Sequence, residues 1–179
     1  LWGYDFPFYF VQIAPFSYGE NRNGVRVRDE QRRTLNLEKT GMAVICDVGD
    51  TTDIHPQNKQ DVGLRLANLA LKHHYQVLDQ LVDPPLFSGF TASNNKVTVS
   101  FMNAAGLHAK NKRSVLFELA GPDGIYYPAK ATIKGETVVL QSKKVNQPEQ
   151  VRYAWGNTTA ADLFNQANLP MSSFSSEFE

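Results

Sequence analysis

The chain has 179 residues, enough for one sizeable hydrophobic core or for two small ones. Its 42% hydrophobic and 20% charged residues are typical of a globular protein and exclude a disordered one. Eighteen basic residues balance eighteen acidic ones, and no apolar run approaches the roughly 18 residues that span a bilayer. We therefore expect neither nucleic acid nor a membrane among its partners.

The first part of the chain alternates between strand-like and helix-like patterns. Residues 6–16 are a continuous apolar and aromatic run, which predicts a strand buried on both faces. A helix of polar character is expected over 27–37, a second buried strand over 41–50, and a second helix over 56–75. This order is typical of a parallel sheet in an α/β domain. Because two strands do not make a stable sheet alone, we expect this half to be the final part of a larger domain.

Two patterns in this half predict structural rather than chemical roles. The mixed charges of residues 26–33 favour a solvated helix face over a phosphate-binding site. Cys46 is the only cysteine, and it lies inside the second apolar run. We interpret it as a buried, unreactive thiol, since a strand interior does not favour the thiolate.

From about residue 84 the hydrophobic residues alternate with polar ones, as in half-buried strands. Strands are predicted at residues 96–101, 114–119, 129–133, 136–141 and 150–155. Turn signals separate them, at Lys134-Gly135 and over 121–124. The pattern predicts an antiparallel β-sandwich, and Pro84-Pro85 marks the expected boundary with the first half.

A lone histidine follows the second predicted strand. His55 lies between an acidic loop and Pro56, which suits the first position of a helix. The positive end of that helix would keep the ring neutral and able to accept a proton. Asp47, Asp50 and Asp53 lie nearby, on a loop at the carboxyl end of a strand, where open α/β sheets bind ligands. His55 is thus either a general base oriented by a carboxylate or only a residue beside a helix start.

Other candidate groups carry less weight. No G-x-S-x-G turn frames a serine, and Ser17 is the only serine at the expected active-site edge. His73 and His74 suit the end of a helix, and His108 lies in a loop without acidic neighbours. No spacing of histidine, cysteine and aspartate predicts a metal site, and no glycine-rich loop predicts a nucleotide site.

Aromatic residues of the second half have two interpretations. Tyr126, Tyr127, Tyr153 and Trp155 could form a sugar-stacking platform, but aromatics at alternate strand positions more often lie in the core.

Four segments together resemble a known enzyme family. They are FYFVQIAPFSY (8–18), the block VRDEQRRTLNLEKTGMAVICDVGDTTDIHPQNKQDVGLRLANLAL (27–71), GPDGIYYPAKATIKGETVVL (121–140) and VRYAWGNTTAADLFNQANLPMSSF (151–174). In this order they resemble the closing part of the sialate O-acetylesterases, which are carbohydrate esterases of the SGNH-hydrolase group. The resemblance implies the C-terminal part of a flavodoxin-like SGNH domain over residues 1–83, followed by an antiparallel β-sandwich over 84–179.

The same resemblance implies a function. We expect hydrolysis of O-acetyl esters on sialic acids or related sugars, with His55 as the base for a serine nucleophile and without a metal or organic cofactor. The serine and oxyanion block of the family does not occur in this chain, so a missing N-terminal segment is expected to bear it. The family commonly has an aspartate three residues before the histidine, where this chain has Thr52. Asp53, Asp50 or, in a catalytic dyad, a backbone carbonyl would then orient the ring. A periplasmic or secreted location is also implied.

Two alternatives remain open at this point. The chain could be a non-catalytic, carbohydrate-binding or structural β-sandwich fragment, or it could belong to another SGNH esterase such as an acetylxylan esterase.

Overall fold

The computed structural model describes residues 3–178, so Leu1, Trp2 and Glu179 of the predicted domain ranges lie outside the described residues. The described residues form two α-helices, α1 (Asn23–Arg33) and α2 (Lys59–His73), and twelve strands. The strands are β1 (Phe8–Val11), β2 (Thr40–Ala43), β3 (Leu86–Ser93), β4 (Lys96–Met102), β5 (His108–Ala109), β6 (Phe117–Ala120), β7 (Tyr127–Pro128), β8 (Lys130–Lys134), β9 (Thr137–Gln141), β10 (Gln150–Tyr153), β11 (Leu163–Phe164) and β12 (Phe174–Ser175). Neither helix is long and apolar enough to cross a membrane.

The first half contains a two-stranded parallel sheet, as the alternation of elements predicts. β1 pairs with β2, with Phe8 opposite Thr40 and Val11 opposite Ala43. Helix α2 covers one face, where Leu69 packs against Ala43 and Val82. The sheet is therefore held mainly by packing, because a two-stranded sheet has little stability of its own.

Both strands of this half, and helix α2, are shorter than their sequence patterns suggest. The run over 6–16 forms a strand only over Phe8–Val11, and the run over 41–50 only over Thr40–Ala43. The chain beyond each strand is still largely buried but irregular. Helix α2 spans Lys59–His73 and not 56–75, and the Asn58 side chain caps it. An apolar run indicates burial, but it does not show where ladder hydrogen bonds end.

Helix α1 begins four residues before its predicted start because a residue far along the chain caps it. The N-cap residue Arg22 makes no side-chain cap hydrogen bond, whereas Asn157 Oδ1 accepts the backbone N–H of Val25 at 3.3 Å. The prediction of a solvated charged face over 26–33 was wrong in part. Arg28 and Asp29 are buried, and Asp29 Oδ1 accepts a hydrogen bond from Arg32 Nε at 2.9 Å.

The second half consists mainly of two four-stranded antiparallel sheets, which is compatible with the predicted β-sandwich. Their strand orders are β3-β4-β9-β8 and β12-β10-β6-β7. Side chains of both sheets meet in one core, in which the fully buried residues include Val97, Leu140, Phe117 and Phe174. All five predicted strands correspond to observed ones, with ends displaced by up to three residues.

Several details of this half differ from the prediction, since β3 and the short strands β5, β7, β11 and β12 were not predicted. β3 was missed because the Pro84-Pro85 pair suggested a linker; the pair in fact directly precedes the strand, and a bulge between Phe87 and Gly89 accommodates Ser88 within it. The β8–β9 hairpin turns at Gly135-Glu136, one residue later than expected, and Gly135 has a φ of +60°. The turn over 121–124 is confirmed, with Gly124 N–H donating to Gly121 O at 3.0 Å.

The two halves share buried contacts. Leu86 and Ala161 from the second half pack into a cluster with Met42, Val44 and Cys46 from the first. Polar contacts join them as well: the fully buried Gln12 donates through Nε2 to Ser172 Oγ at 2.7 Å. We therefore expect the first half to depend on the second for stability.

A truncation experiment tests this dependence. A fragment of residues 1–80 would expose the cluster around Met42 in addition to the unpaired edges of its sheet, and we expect it to aggregate. A fragment of residues 84–179 keeps every residue of the sandwich core and should melt cooperatively, which makes it the matched control. Circular dichroism melts and light scattering give the readout. A monomeric, cooperatively melting 1–80 fragment would contradict the expectation.

The predicted burial of Cys46 is confirmed, and its lack of reactivity stays a prediction. The side chain is buried, and burial together with the nearby Asp47 charge raises the pKa of the thiol to about 12. Because the thiolate is the reactive form, we expect no reaction with a disulfide reagent at pH 8 in the native state. Stoichiometric labelling should occur in denaturant, and fast labelling of the native protein would be the contrary result.

Candidate functional site

Two loops meet at the carboxyl edge of the parallel sheet. Since β1 and β2 run in the same direction, the chain leaves both at one edge, in the loops over 12–22 and 44–58. The backbone N–H of Ser17 donates to Thr51 O at 3.1 Å. Gly49 lies so close to Pro15 that a Cβ there would be only 2.8 Å from its Cδ. The second loop, which contains His55, is thus in contact with the first at Gly49 and at Thr51.

His55 lies on this loop with its ring in solvent. Its side chain is 81% exposed, and Nδ1 lies 3.3 Å from Asp53 Oδ1. The same oxygen accepts the backbone N–H of His55 at 2.8 Å, so one carboxylate contacts both the main chain and the ring. Nε2 has no hydrogen-bond partner in the part of the chain that the structure describes. With a proton on Nδ1, the geometry leaves Nε2 available to accept another.

The expected position of His55 at a helix N-terminus was wrong. Helix α2 begins at Lys59, and Asn58 Oδ1 accepts the N–H of Asp61 at 3.1 Å as its cap. His55 therefore lies outside the first helical turn, where the dipole field has largely fallen off. The contact with Asp53 is the electrostatic feature that the structure provides for this ring.

The three neighbouring aspartates have different surroundings. Asp47 forms a two-point ion pair with Arg65, both N–O distances being 2.7 Å. Asp50 Oδ1 accepts hydrogen bonds from Thr52 N, Thr52 Oγ1 and Asp53 N, at 2.8, 2.7 and 3.3 Å. These bonds, the Thr52 N–H first, lower the pKa of Asp50. Asp53 alone of the three contacts His55.

The remaining sequence candidates lie elsewhere or make other contacts. His73 Nε2 contacts Asp83 Oδ1 at 2.8 Å, and His108 Nδ1 contacts Gly106 O at 3.0 Å. Ser17 is exposed, and no hydrogen bond joins its hydroxyl to His55 within the described residues. No group of three histidine, cysteine, aspartate or glutamate side chains within residues 3–178 has the arrangement of a metal site.

Residues that the sequence did not single out support the loop. Arg28 is fully buried, and its guanidinium donates to the carbonyl oxygens of Gly156 and Asn157, the latter at 3.1 Å. Asn157 O also accepts the N–H of Phe16 at 3.1 Å, next to the Ser17 contact with Thr51. The Asn157 side chain donates to Gly19 O and Asn21 O.

These hydrogen bonds form a continuous connection from helix α1 through the sandwich to the loop of His55. The R-Y-A-W-G-N segment over 152–157 is the sequence signal for it, although only its three-dimensional position reveals Arg28 as its partner.

Comparison with known structures shows what the chain is similar to. The chain is similar to the crystal structure of XAC1771, a novel carbohydrate acetylesterase from Xanthomonas citri, with 35% sequence identity and a TM-score of 0.89. The similarity covers 97% of this chain and 41% of that one, so this chain spans about two fifths of the matched structure's length. No protein-family model and no curated protein sequence matches the chain. In fold and sequence the whole chain is therefore similar to one part of a larger carbohydrate acetylesterase.

Proposed function

We propose that this chain is part of an esterase that removes acetyl groups from carbohydrates, and that His55 is its general base. The match at 35% identity over 97% of the chain carries the proposal. The exposed imidazole at the carboxyl edge of the sheet, with a carboxylate at Nδ1, supports the assignment of the base. The finer substrate, O-acetylated sialic acid or a related sugar, rests on the family resemblance of the sequence.

The domain organisation is part of the same proposal. Residues 1–83 would form the C-terminal part of an SGNH hydrolase domain, and residues 84–179 its β-sandwich. The serine nucleophile would come from a segment of the longer polypeptide outside this chain, since the resemblance places the family's serine block there. The open Nε2 of His55 and the uncovered sheet edges are compatible with such a segment lying against this surface.

In the proposed mechanism His55 transfers protons in both half-reactions. Nε2 accepts the proton of the serine hydroxyl as its oxygen attacks the acetyl carbonyl, and the C–O bond to the sugar then breaks. The imidazolium returns the proton to the leaving sugar oxygen, and the acetyl group remains on the serine as an acetyl-serine. His55 next takes a proton from water, whose oxygen attacks the acetyl-serine carbonyl; the bond to the serine oxygen breaks, the imidazolium returns its proton to that oxygen, and acetate is released. Asp53 orients the ring and stabilises its positive charge in both steps.

Acetate release by the full-length protein tests this function. Acetylated mono- and oligosaccharides are supplied together with p-nitrophenyl acetate, and the protein is compared with its His55→Ala variant. We expect turnover of the acetylated sugars that the variant loses. Equal turnover by the variant would remove His55 from the mechanism, and glycan binding without any acetate release would favour the non-catalytic alternative.

A further inference from the structure

A cationic cleft lies where the start of helix α1 meets the sandwich. Its volume is about 380 Å³, within the range of small-molecule sites. A second cavity of about 240 Å³ shares Arg26, Trp155 and Glu177 with it and extends it along the helix. We call the first cavity the arginine cleft; its principal lining residues are Arg22, Arg26, Tyr126, Arg152, Trp155 and Glu177. None of them belongs to the loop that carries His55.

Two of the three arginines are available to a ligand. Arg22 and Arg26 are four residues apart at the start of α1 and therefore lie on one side of the helix. Both are exposed, and neither guanidinium has an ion pair or hydrogen bond with any of residues 3–178. Arg152 differs, because its Nε donates to Glu118 Oε2 at 2.7 Å. The cleft thus offers two unpaired guanidiniums, the groups best suited to two-point binding of a carboxylate.

The other walls are those of a saccharide site. Of the four aromatics that sequence analysis considered for sugar stacking, Tyr153 lies in the sandwich core and Tyr127 packs against it, whereas Tyr126 and Trp155 line the cleft. Arg152 lies 3.7 Å from the Tyr126 ring centroid and holds that ring against the cleft wall. Glu177 can accept hydrogen bonds from sugar hydroxyls, while its charge disfavours a small, densely charged anion such as phosphate.

We propose that the arginine cleft binds a carboxylated saccharide, such as a uronic acid residue of a glycan. Arg22 and Arg26 would bind the carboxylate, Trp155 and Tyr126 would contact the sugar ring, and Glu177 would accept its hydroxyls. The proposal does not depend on esterase activity, since it concerns binding by residues of this chain alone.

Trp155 provides the signal for a binding experiment. The chain has two tryptophans, so a Trp2→Phe background leaves Trp155 as the only indole. Fluorescence is titrated with trigalacturonate, with neutral maltotriose and with inorganic phosphate. The variants are Arg22→Gln/Arg26→Gln together, and Arg113→Gln as the matched control, an exposed arginine in the loop between β5 and β6.

We expect saturable quenching by trigalacturonate that weakens as salt is added, and at least about tenfold weaker binding in the double variant, because it lacks both of the cationic groups that bind the carboxylate. Arg113→Gln should bind as the parent does. The proposal would be overturned if maltotriose or phosphate bound as tightly as trigalacturonate. It would equally be overturned by no quenching at millimolar trigalacturonate, or by an unchanged affinity in the double variant.

Discussion

Replacing His55 by alanine in the full-length protein should lower kcat for acetate release by roughly 10²- to 10⁴-fold, the size of effect that loss of a general base produces. KM should change little, because an 81% exposed ring is placed to move protons and not to hold the sugar. The folded state should be unaffected for the same reason. A thermal melt of the variant that overlays the parent's would separate loss of chemistry from loss of structure.

The neighbouring aspartates give a matched pair for the same assay. Asp53→Asn removes the charge beside His55 Nδ1, and we expect kcat to fall by roughly 10²-fold or more. The loss should be smaller than the roughly 10⁴-fold known for a buried catalytic aspartate, because Asp53 is 48% exposed. Asp50→Asn keeps an amide oxygen that can accept from Thr52 and Asp53, so it should retain activity within about threefold.

Asp50 should also make the order of the loop depend on pH in the acid range. Asp50 has a lowered pKa in the folded protein, so its contribution to loop order is present above the ordinary value of about 3.9 and is lost as pH falls through the lower folded value. Asp50→Asn should remove that acid-sensitive component without changing kcat near neutrality. A larger loss of kcat in Asp50→Asn than in Asp53→Asn would exchange the roles assigned to the two carboxylates.

Local sequence pattern predicted those parts of the fold that depend on local chemistry. Alternating side chains such as Val97, Val99 and Phe101 indicate a half-buried strand wherever the chain goes next, and five of the strands of the second half were found this way. The turn at Gly124 follows equally from its own four residues. Boundaries were missed where the deciding partner is distant: the cap of α1 comes from Asn157, 132 residues further along the chain.

In the candidate site too, sequence predicted what depends on neighbouring residues and missed what depends on distant ones. His55 and Asp53 are two residues apart, and sequence reasoning named both, although it put the ring at a helix start that Asn58 in fact occupies. The loop's support could not be predicted in this way. Arg28 belongs to a segment whose charges suggested a solvated face, and its burial is evident only once the carbonyls of residues 156–157 are in contact with it.

Arg28→Ala should be the most destabilising single substitution among the residues discussed. The fully buried guanidinium donates to the carbonyls of Gly156 and Asn157, and no carboxylate contacts it within the described residues. Burial lowers the pKa of Arg28, but the group remains charged at neutral pH. Its removal loses two charge-assisted hydrogen bonds, at about 1.5–3 kcal/mol each, and empties the space of the side chain, although Gly156 O and Asn157 O keep the N–H donors of Thr159 and Phe16. We expect the free energy of unfolding to fall by about 3–5 kcal/mol in urea denaturation.

Arg26→Ala is the matched control, since it removes an exposed arginine from the same helix and should change stability by no more than about 0.5 kcal/mol.

The consequence of Arg28→Ala for the candidate site follows from the connected hydrogen bonds. Asn157 O accepts the N–H of Phe16, and the adjacent N–H of Ser17 donates to Thr51 O on the loop of His55. If Arg28 supports that loop, the amides of Phe16 and Ser17 should exchange with solvent faster in Arg28→Ala, even below the denaturation midpoint. The amides of the β4–β9 ladder lie on the far sheet of the sandwich, and their exchange rates should change only as far as the global stability changes. Uniform acceleration across both regions would mean that Arg28 stabilises the fold as a whole and has no particular part in holding the loop.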